Sequence, residues 1–150
     1  LVNGITSAAV PRVDLESSPK IFQTLHTAID EGLIRSCHDL SEGGLAVALA
    51  EMSFAGELGV EAWLTALGQA TRTDDDIVLL FSESNTRFII EVPPEHRQRI
   101  ESLFEGLPLT EFGVVNNSDR VSIRGTRGYE IIDAPWRELK ASWQKPLAWD

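Results

Sequence analysis

Ile21, Phe22, Leu25, Ile29 and Leu33 recur at helical spacing and place one apolar face on an amphipathic helix over residues 18–32. Ser17-Ser18-Pro19 supplies its start, a Ser cap with Pro in the first turn, and Gly32 supplies its stop. Residues 1–16 ahead of it read as mostly extended or irregular, with Pro11 biasing Val10 away from helix. His26 lies one turn beyond Phe22, beside the stripe, and reads as a flank residue rather than a ligand.

The middle of the chain changes period. A strand over residues 34–38 runs through Ser36-Cys37-His38-Asp39-Leu40-Ser41-Glu42 into Gly43-Gly44, and an Ala/Leu-rich helix over 43–55 follows. Ala46, Ala48 and Ala50 allow that helix close to a sheet, and Gly56 is placed to end it. Residues 58–64 alternate as a strand, 65–76 are small and polar, and Asp74-Asp75-Asp76 cap a short helix over 77–81. Asn85 marks a turn before a β-branched strand over 87–92, which Pro93-Pro94 closes. Residues 95–104 are amphipathic through Ile100, Leu103 and Phe104. Residues 109–116 and 120–124, split by Asn116-Asn117-Ser118-Asp119, read as a β-hairpin. Pro135 opens a last helix to about Gln144, with Trp136, Leu139 and Trp143 on one side. These elements predict one α/β (α+β) domain over residues 1–150, its helices packed on a mixed, largely antiparallel sheet.

The candidate chemistry gathers where strand, turn and helix meet. Asp39, Ser41, Gly43 and Gly44 stand at a helix N-terminus, where main-chain N–H groups and the helix dipole favour an anion such as a phosphate. The alternative is a tight turn and close helix packing, with Asp39 or Ser41 as the N-cap. Both readings stay open on spacing alone. Cys37-His38-Asp39 holds triad residue types, but adjacent strand residues point to opposite faces, so the three cannot align; Cys37 reads as a buried small residue. The three adjacent aspartates lack the remaining ligands of a calcium loop and read as a solvated helix start. Arg87 either holds a phosphate or pairs with Glu83 to tie helix to strand, the second being preferred. No catalytic residue and no metal site is assigned.

Composition narrows the partners. The 150 residues carry 13 Lys and Arg against 23 Asp and Glu, a net charge of -10, which argues against a nucleic-acid partner. No apolar run is long enough for a membrane span and no signal-peptide pattern is present. A single cysteine allows no internal disulfide and fits a cytoplasmic location. Three of the four tryptophans fall within residues 136–149 without a basic cluster, so they read as packing or interdomain contact. The chain begins without an initiator Met, which reads as a piece of a longer protein.

The run from His38 to Gly56, H-D-L-S-E-G-G-L-A-V-A-L-A-E-M-S-F-A-G, resembles the C-terminal domain of the phosphoribosylformylglycinamidine synthase family, the large purine-biosynthesis subunits of the AIR synthase superfamily. Upstream, Val10-Pro11-Arg12-Val13-Asp14-Leu15 looks like the family's lead-in. Downstream, Leu80-Phe81-Ser82-Glu83-Ser84 with Arg87 looks like its helix-to-strand junction, so the resemblance covers roughly residues 10 to 92. It implies an AIR synthase C-terminal-domain-like fold, in the second copy of a repeated unit. Such enzymes convert formylglycinamide ribonucleotide to the amidine with ATP and glutamine-derived ammonia. ATP phosphorylates the amide oxygen and ammonia displaces phosphate. By the same resemblance ATP and Mg2+ serve the full-length enzyme and none binds this stretch alone, which is expected to be inactive in isolation. The chain looks like a C-terminal fragment that starts after the family domain's first strand. Its implied partners are the enzyme's own ATP-binding domains and separate glutaminase and small accessory subunits. Two alternatives remain: another superfamily enzyme, such as selenophosphate synthetase, a hydrogenase maturation protein or thiamine-phosphate kinase, or a purely structural domain. The Ser82-Glu83-Ser84…Arg87 junction argues against those other enzymes.

Overall fold

The computed structural model describes residues 11–147; residues 1–10, including Val10 of the lead-in, and Trp149 and the chain end at Asp150 lie outside the described residues. Asp14 organises the first helix. Its carboxylate accepts from Glu16 N–H at 2.9 Å, Ser17 N–H at 3.3 Å and Ser17 Oγ at 2.8 Å. The helix α1 spans Ser18–Asp30 with Pro19 in its first turn, but Ser17 makes no cap bond: its backbone is already helical, at φ -87° and ψ -36°, rather than in the extended region of a capping residue, and its hydroxyl donates to Asp14. The expected Ser cap is corrected to an Asp14 bracket. Gly32, at φ +68°, ends the turn that follows α1.

A strand β1 (Ser36–Asp39) leads through the glycine turn into α2 (Gly44–Gly56). Leu45, Ala48, Leu49 and Phe54 of α2 are buried, and Ala46, Ala50 and Met52 are half-buried on the same core. The helix is apolar nearly all round because other elements enclose it. α2 ends at Gly56, as expected, but the left-handed cap at φ +55° falls on Glu57.

Two sheets replace the single one expected. The first pairs β1 antiparallel with β3 (Phe88–Glu91), Ser36 opposite Glu91 and Asp39 opposite Phe88. Ile89 joins the core around α2. Phe88 and Ile90 face a second core of Leu25, Ala28, Leu33, Ile100 and Phe104, built by α1 and α5 (Arg97–Leu103). Phe22 stands edge-on to Phe88 at 5.7 Å.

The second sheet runs β4 (Gly113–Asn116), β2 (Gly59–Trp63), β5 (Arg120–Arg124), β6 (Glu130–Pro135). β2 is parallel to β5 and the other neighbours are antiparallel. Val60, Ala62, Val121 and Ile123 are buried on the face toward α2. The expected hairpin between 109–116 and 120–124 is therefore wrong: β2 lies between the two strands. The Asn116–Asp119 loop crosses the start of β2, and Gly59 leaves room for it, since a Cβ there would sit 2.8 Å from Arg120 O and run into the Asn116 and Ser118 side chains. The hairpin in this region is β5–β6, turned at Gly125–Tyr129.

Residues 65–76, small and polar in sequence, hold most of a further helix, α3 (Leu64–Thr71), which buries Leu64 and Gly68. Asp75 caps α4 (Asp76–Phe81), accepting from Ile77 N–H at 2.9 Å and Val78 N–H at 3.2 Å. Asp76 is not merely solvated: its carboxylate takes Thr126 N–H at 2.7 Å and pins the β5–β6 turn. The last helix, α6 (Trp136–Gln144), buries Trp136 and sets Trp143 against Phe54 at 5.6 Å. The architecture is α+β, with helices packed on mixed sheets, as expected from the sequence.

Two outcomes follow from this packing. Gly59→Ala should cost about 1–3 kcal/mol, read as a lower urea midpoint, because the crossing loop must move. Asp14 is the second case. The N–H of Glu16, then the hydroxyl and N–H of Ser17, hold its carboxyl below the ordinary value, so its stabilisation exists above that value and is lost as the pH falls through the folded one. Asp14→Asn should thus lower the midpoint at neutral pH, and the gap between variant and parent should close in acid.

Candidate functional site

Leu40 N–H donates to Arg87 O at 2.9 Å, extending the β1–β3 ladder to the edge of the turn. Leu40 is buried, while Ser41 and Glu42 are exposed. Gly43 and Gly44 follow at φ +79° and +62°, in the left-handed region that glycine enters without strain. A Cβ on Gly44 would lie 2.8 Å from Leu80 O and 2.9 Å from Ser82 O, so α2 begins directly against the carbonyl end of α4. Partial positive charge at one helix start meets partial negative charge at the other helix end.

The two glycine N–H groups are both engaged. Gly43 donates to Glu83 Oε1 at 2.9 Å and Gly44 to Ser41 O at 3.1 Å. Neither Asp39 nor Ser41 caps α2, which has no side-chain cap from its own N-cap residue. Glu83, 40 positions further along, provides the negative group instead. The turn therefore differs from the free N–H cluster expected. Arg87 does not pair with Glu83 either: its Nη1 donates to Ser82 Oγ at 2.8 Å and Ser82 O at 3.2 Å. Burial pushes the Arg87 pKa below its ordinary value. Thr86 sits at φ +62°, uncommon for a β-branched residue, with Oγ1 2.9 Å from Oγ of the buried Ser18. That bond ties the junction to the start of α1.

Asp39, Ser41, Gly43 and Gly44 do come together at the start of α2, but not as one lining. Asp39 and Ser41 line an open groove of about 910 Å3, and the two glycines are not among its lining residues. Segment 83–88 forms the opposite wall. Asp39, Glu42 and Glu83 make the groove acidic, with Arg87 turned back toward Ser82. Cys37, expected to be buried, is exposed on the groove, because the second core covers Phe88 and Ile90 of β3 but not the Cys37 position of β1. Partial desolvation, and then the Asp39 charge, push its thiol pKa up, which disfavours a thiolate nucleophile. His26 is exposed, and the ring of His38 lies between Asp39 and Glu51.

Among the described residues no group of three or more His, Cys, Asp or Glu is arranged to hold a metal ion. A magnesium nucleotide needs converging oxygen ligands and available N–H donors. With the glycine N–H groups taken, the described residues of this turn do not by themselves fit one. Among the described residues no helix is long and apolar enough to cross a membrane.

The family described as AIR synthase related protein, C-terminal domain, matches residues 2–126. A phosphoribosylformylglycinamidine synthase subunit PurL of Parasynechococcus marenigrum is 44% identical over 150 residues, covering 98% of this chain and 18% of that protein. The PurL of Caldanaerobacter subterraneus is 36% identical over 149 residues, covering 98% of this chain and 19% of the relative. The chain thus spans about a fifth of the length of these relatives. Among solved structures, T. maritima PurL complexed with FGAR matches with TM-score 0.75 and 19% identity, over 91% of this chain and 23% of that one. The same protein complexed with ATP matches with TM-score 0.66 and 20% identity, over 80% and 21%. Within PurLQS from Thermotoga maritima the match has TM-score 0.75 and 19% identity, over 86% and 22%. At these identities the likeness is one of fold.

The turn's geometry sets an ordering of effects on stability. Gly44→Ala combines a positive φ with overlap on main-chain carbonyls and should cost about 1–3 kcal/mol. Glu83→Gln keeps an acceptor but loses the charge at the α2 start, and should cost about 1 kcal/mol or less. Urea unfolding of both variants checks the order; a neutral Gly44→Ala would refute the close approach.

Proposed function

The chain belongs to the AIR synthase related protein, C-terminal domain family, and from that membership we propose that it serves as the α+β domain of a phosphoribosylformylglycinamidine synthase. The observation that carries this reading is the 44% identity to a PurL, sustained over 98% of the chain. The reaction is the ATP-dependent conversion of formylglycinamide ribonucleotide and ammonia to the amidine, a C–N ligation in purine biosynthesis. ATP supplies the phosphoryl group that activates the amide oxygen. ATP and Mg2+ serve the full-length enzyme, and the engagement of the turn's glycine N–H groups supports their being held mainly by its other domains.

The chain's own part is to present a rigid wall. Asp39 and Ser41 stand on it, with Gly43 and Gly44 next in the turn, as a contact for phosphate or nucleotide in the assembled enzyme, reached when Glu83 gives up the Gly43 N–H. Its partners are the enzyme's own ATP-binding domains and separate glutaminase and small accessory subunits, as the PurLQS assembly of the Thermotoga protein supports. The location is the cytoplasm. A second reading, a purely structural role for the turn, is favoured by the same engaged N–H groups.

A chimera tests the proposal. With this chain in place of the matching segment of the Parasynechococcus PurL, amidine formation from formylglycinamide ribonucleotide, ATP and ammonia should be retained. A folded but inactive chimera would overturn the assignment. The chain alone should give no amidine. Ser41→Ala in the chimera should raise a KM if the turn touches ligand, and leave both KM values unchanged if the turn is scaffold.

A further inference from the structure

After its first residue, α4 is apolar on every side. Asp76 is followed by Ile77-Val78-Leu79-Leu80-Phe81. Leu79 and Leu80 are buried in the core around α2, whereas Ile77, Val78 and Phe81 are 60%, 48% and 49% exposed. Positions 77, 78 and 81 stand at i, i+1 and i+4, so the three share one outward face of the helix. Single exposed apolar residues are ordinary, but a helix that is apolar all round belongs under cover.

We propose that this face of α4 docks on an apolar surface, rimmed by lysine or arginine, of another domain of the same polypeptide. Charge selects that occupant. Asp74, Asp75 and Asp76 stand at one end of the stripe, and Glu83 lies two residues beyond the other. Against a second copy, acid would meet acid in either orientation, and each copy brings a net charge of -10. A basic rim around an apolar centre complements both ends.

Area selects it as well. Three half-exposed side chains offer on the order of 300 Å2, far below the roughly 800 Å2 per partner that holds separate molecules together. A domain on the same chain needs less, because the covalent connection keeps it at high effective concentration. The PurL relatives contain chain enough to supply one, since this chain spans only 18% and 19% of the two compared. The identity of the occupant rests on the synthase reading; the exposed face does not.

Hydroxyl-radical oxidation, read by mass spectrometry on the chain alone and on the chimera, tests the dock. In the isolated chain, which should sediment as a monomer, Phe81 should be oxidised freely. In the folded chimera it should lose most of that oxidation. Equal oxidation of Phe81 in the two would overturn the proposal, whether or not the chimera forms amidine. Protection already present in the isolated monomer, or arising only in dimers of the chain, would overturn it too. A folded, inactive chimera with Phe81 protected would end the synthase reading and leave the dock standing. Ile77, the most exposed of the three, gives a second measurement. Ile77→Lys should leave the Tm of the isolated chain unchanged yet restore Phe81 oxidation in the chimera, while Ile77→Met should keep the protection. Undiminished protection in the Ile77→Lys chimera would refute docking through this face.

Discussion

The approach of Gly44 to the carbonyl end of α4 is the contact from which the rest of the structure takes its shape. A helix start can lie against Leu80 O and Ser82 O only if the residue there has no side chain and can take a positive φ. Once α2 is seated, Glu83 is within reach of the Gly43 N–H, and Arg87 closes back on Ser82. Thr86 then meets Ser18, which couples the core around α2 to the core under α1. A short strand pair with little independent stability is thereby held between two helical layers.

What was legible in the sequence was local. The α1 stripe, the strand–turn–helix at 36–56 and the capped α4 all follow from periods and cap residues that act within a few positions. The hairpin reading failed because two strands joined by a tight loop pair directly only if nothing lies between them. Here β2, more than fifty residues upstream, takes the place, and the only local trace is Gly59. Cys37 failed for a related reason. Alternation assigned it a face but not whether that face would be covered. At the site, the sequence placed Asp39 and Ser41 beside the start of α2, and the structure puts both on the lining of a groove there. Glu83 was not readable as the partner of Gly43, since a separation of 40 residues leaves no pattern in the sequence.

The acidic excess has a structural use that net charge alone does not reveal. With 23 acids to 13 lysines and arginines, carboxylates outnumber the cations able to pair with them. Several accept main-chain N–H groups instead: Asp14 ahead of α1, Asp75 at α4, Asp76 at the β5–β6 turn, and Glu83 at α2. Each satisfies a donor that regular structure leaves open, and the two at helix starts also meet a favourable dipole. Acid content thus fixes loops and helix ends as well as keeping the surface charged.

This use of carboxylates also constrains whatever occupies the groove. Both walls trace back to the first turn of α2, one through Asp39 and Ser41, the other through Glu83. A ligand that leaves Glu83 in place meets three acidic side chains and is favoured if it is neutral or cationic. A ligand that displaces Glu83 must bring its own negative group to the Gly43 N–H, because an emptied donor at a helix start costs what the cap had supplied. An anion at this turn would therefore exchange one carboxylate for another acceptor. The strength of such an exchange would be set by the difference between the two, not by the helix dipole that both would share.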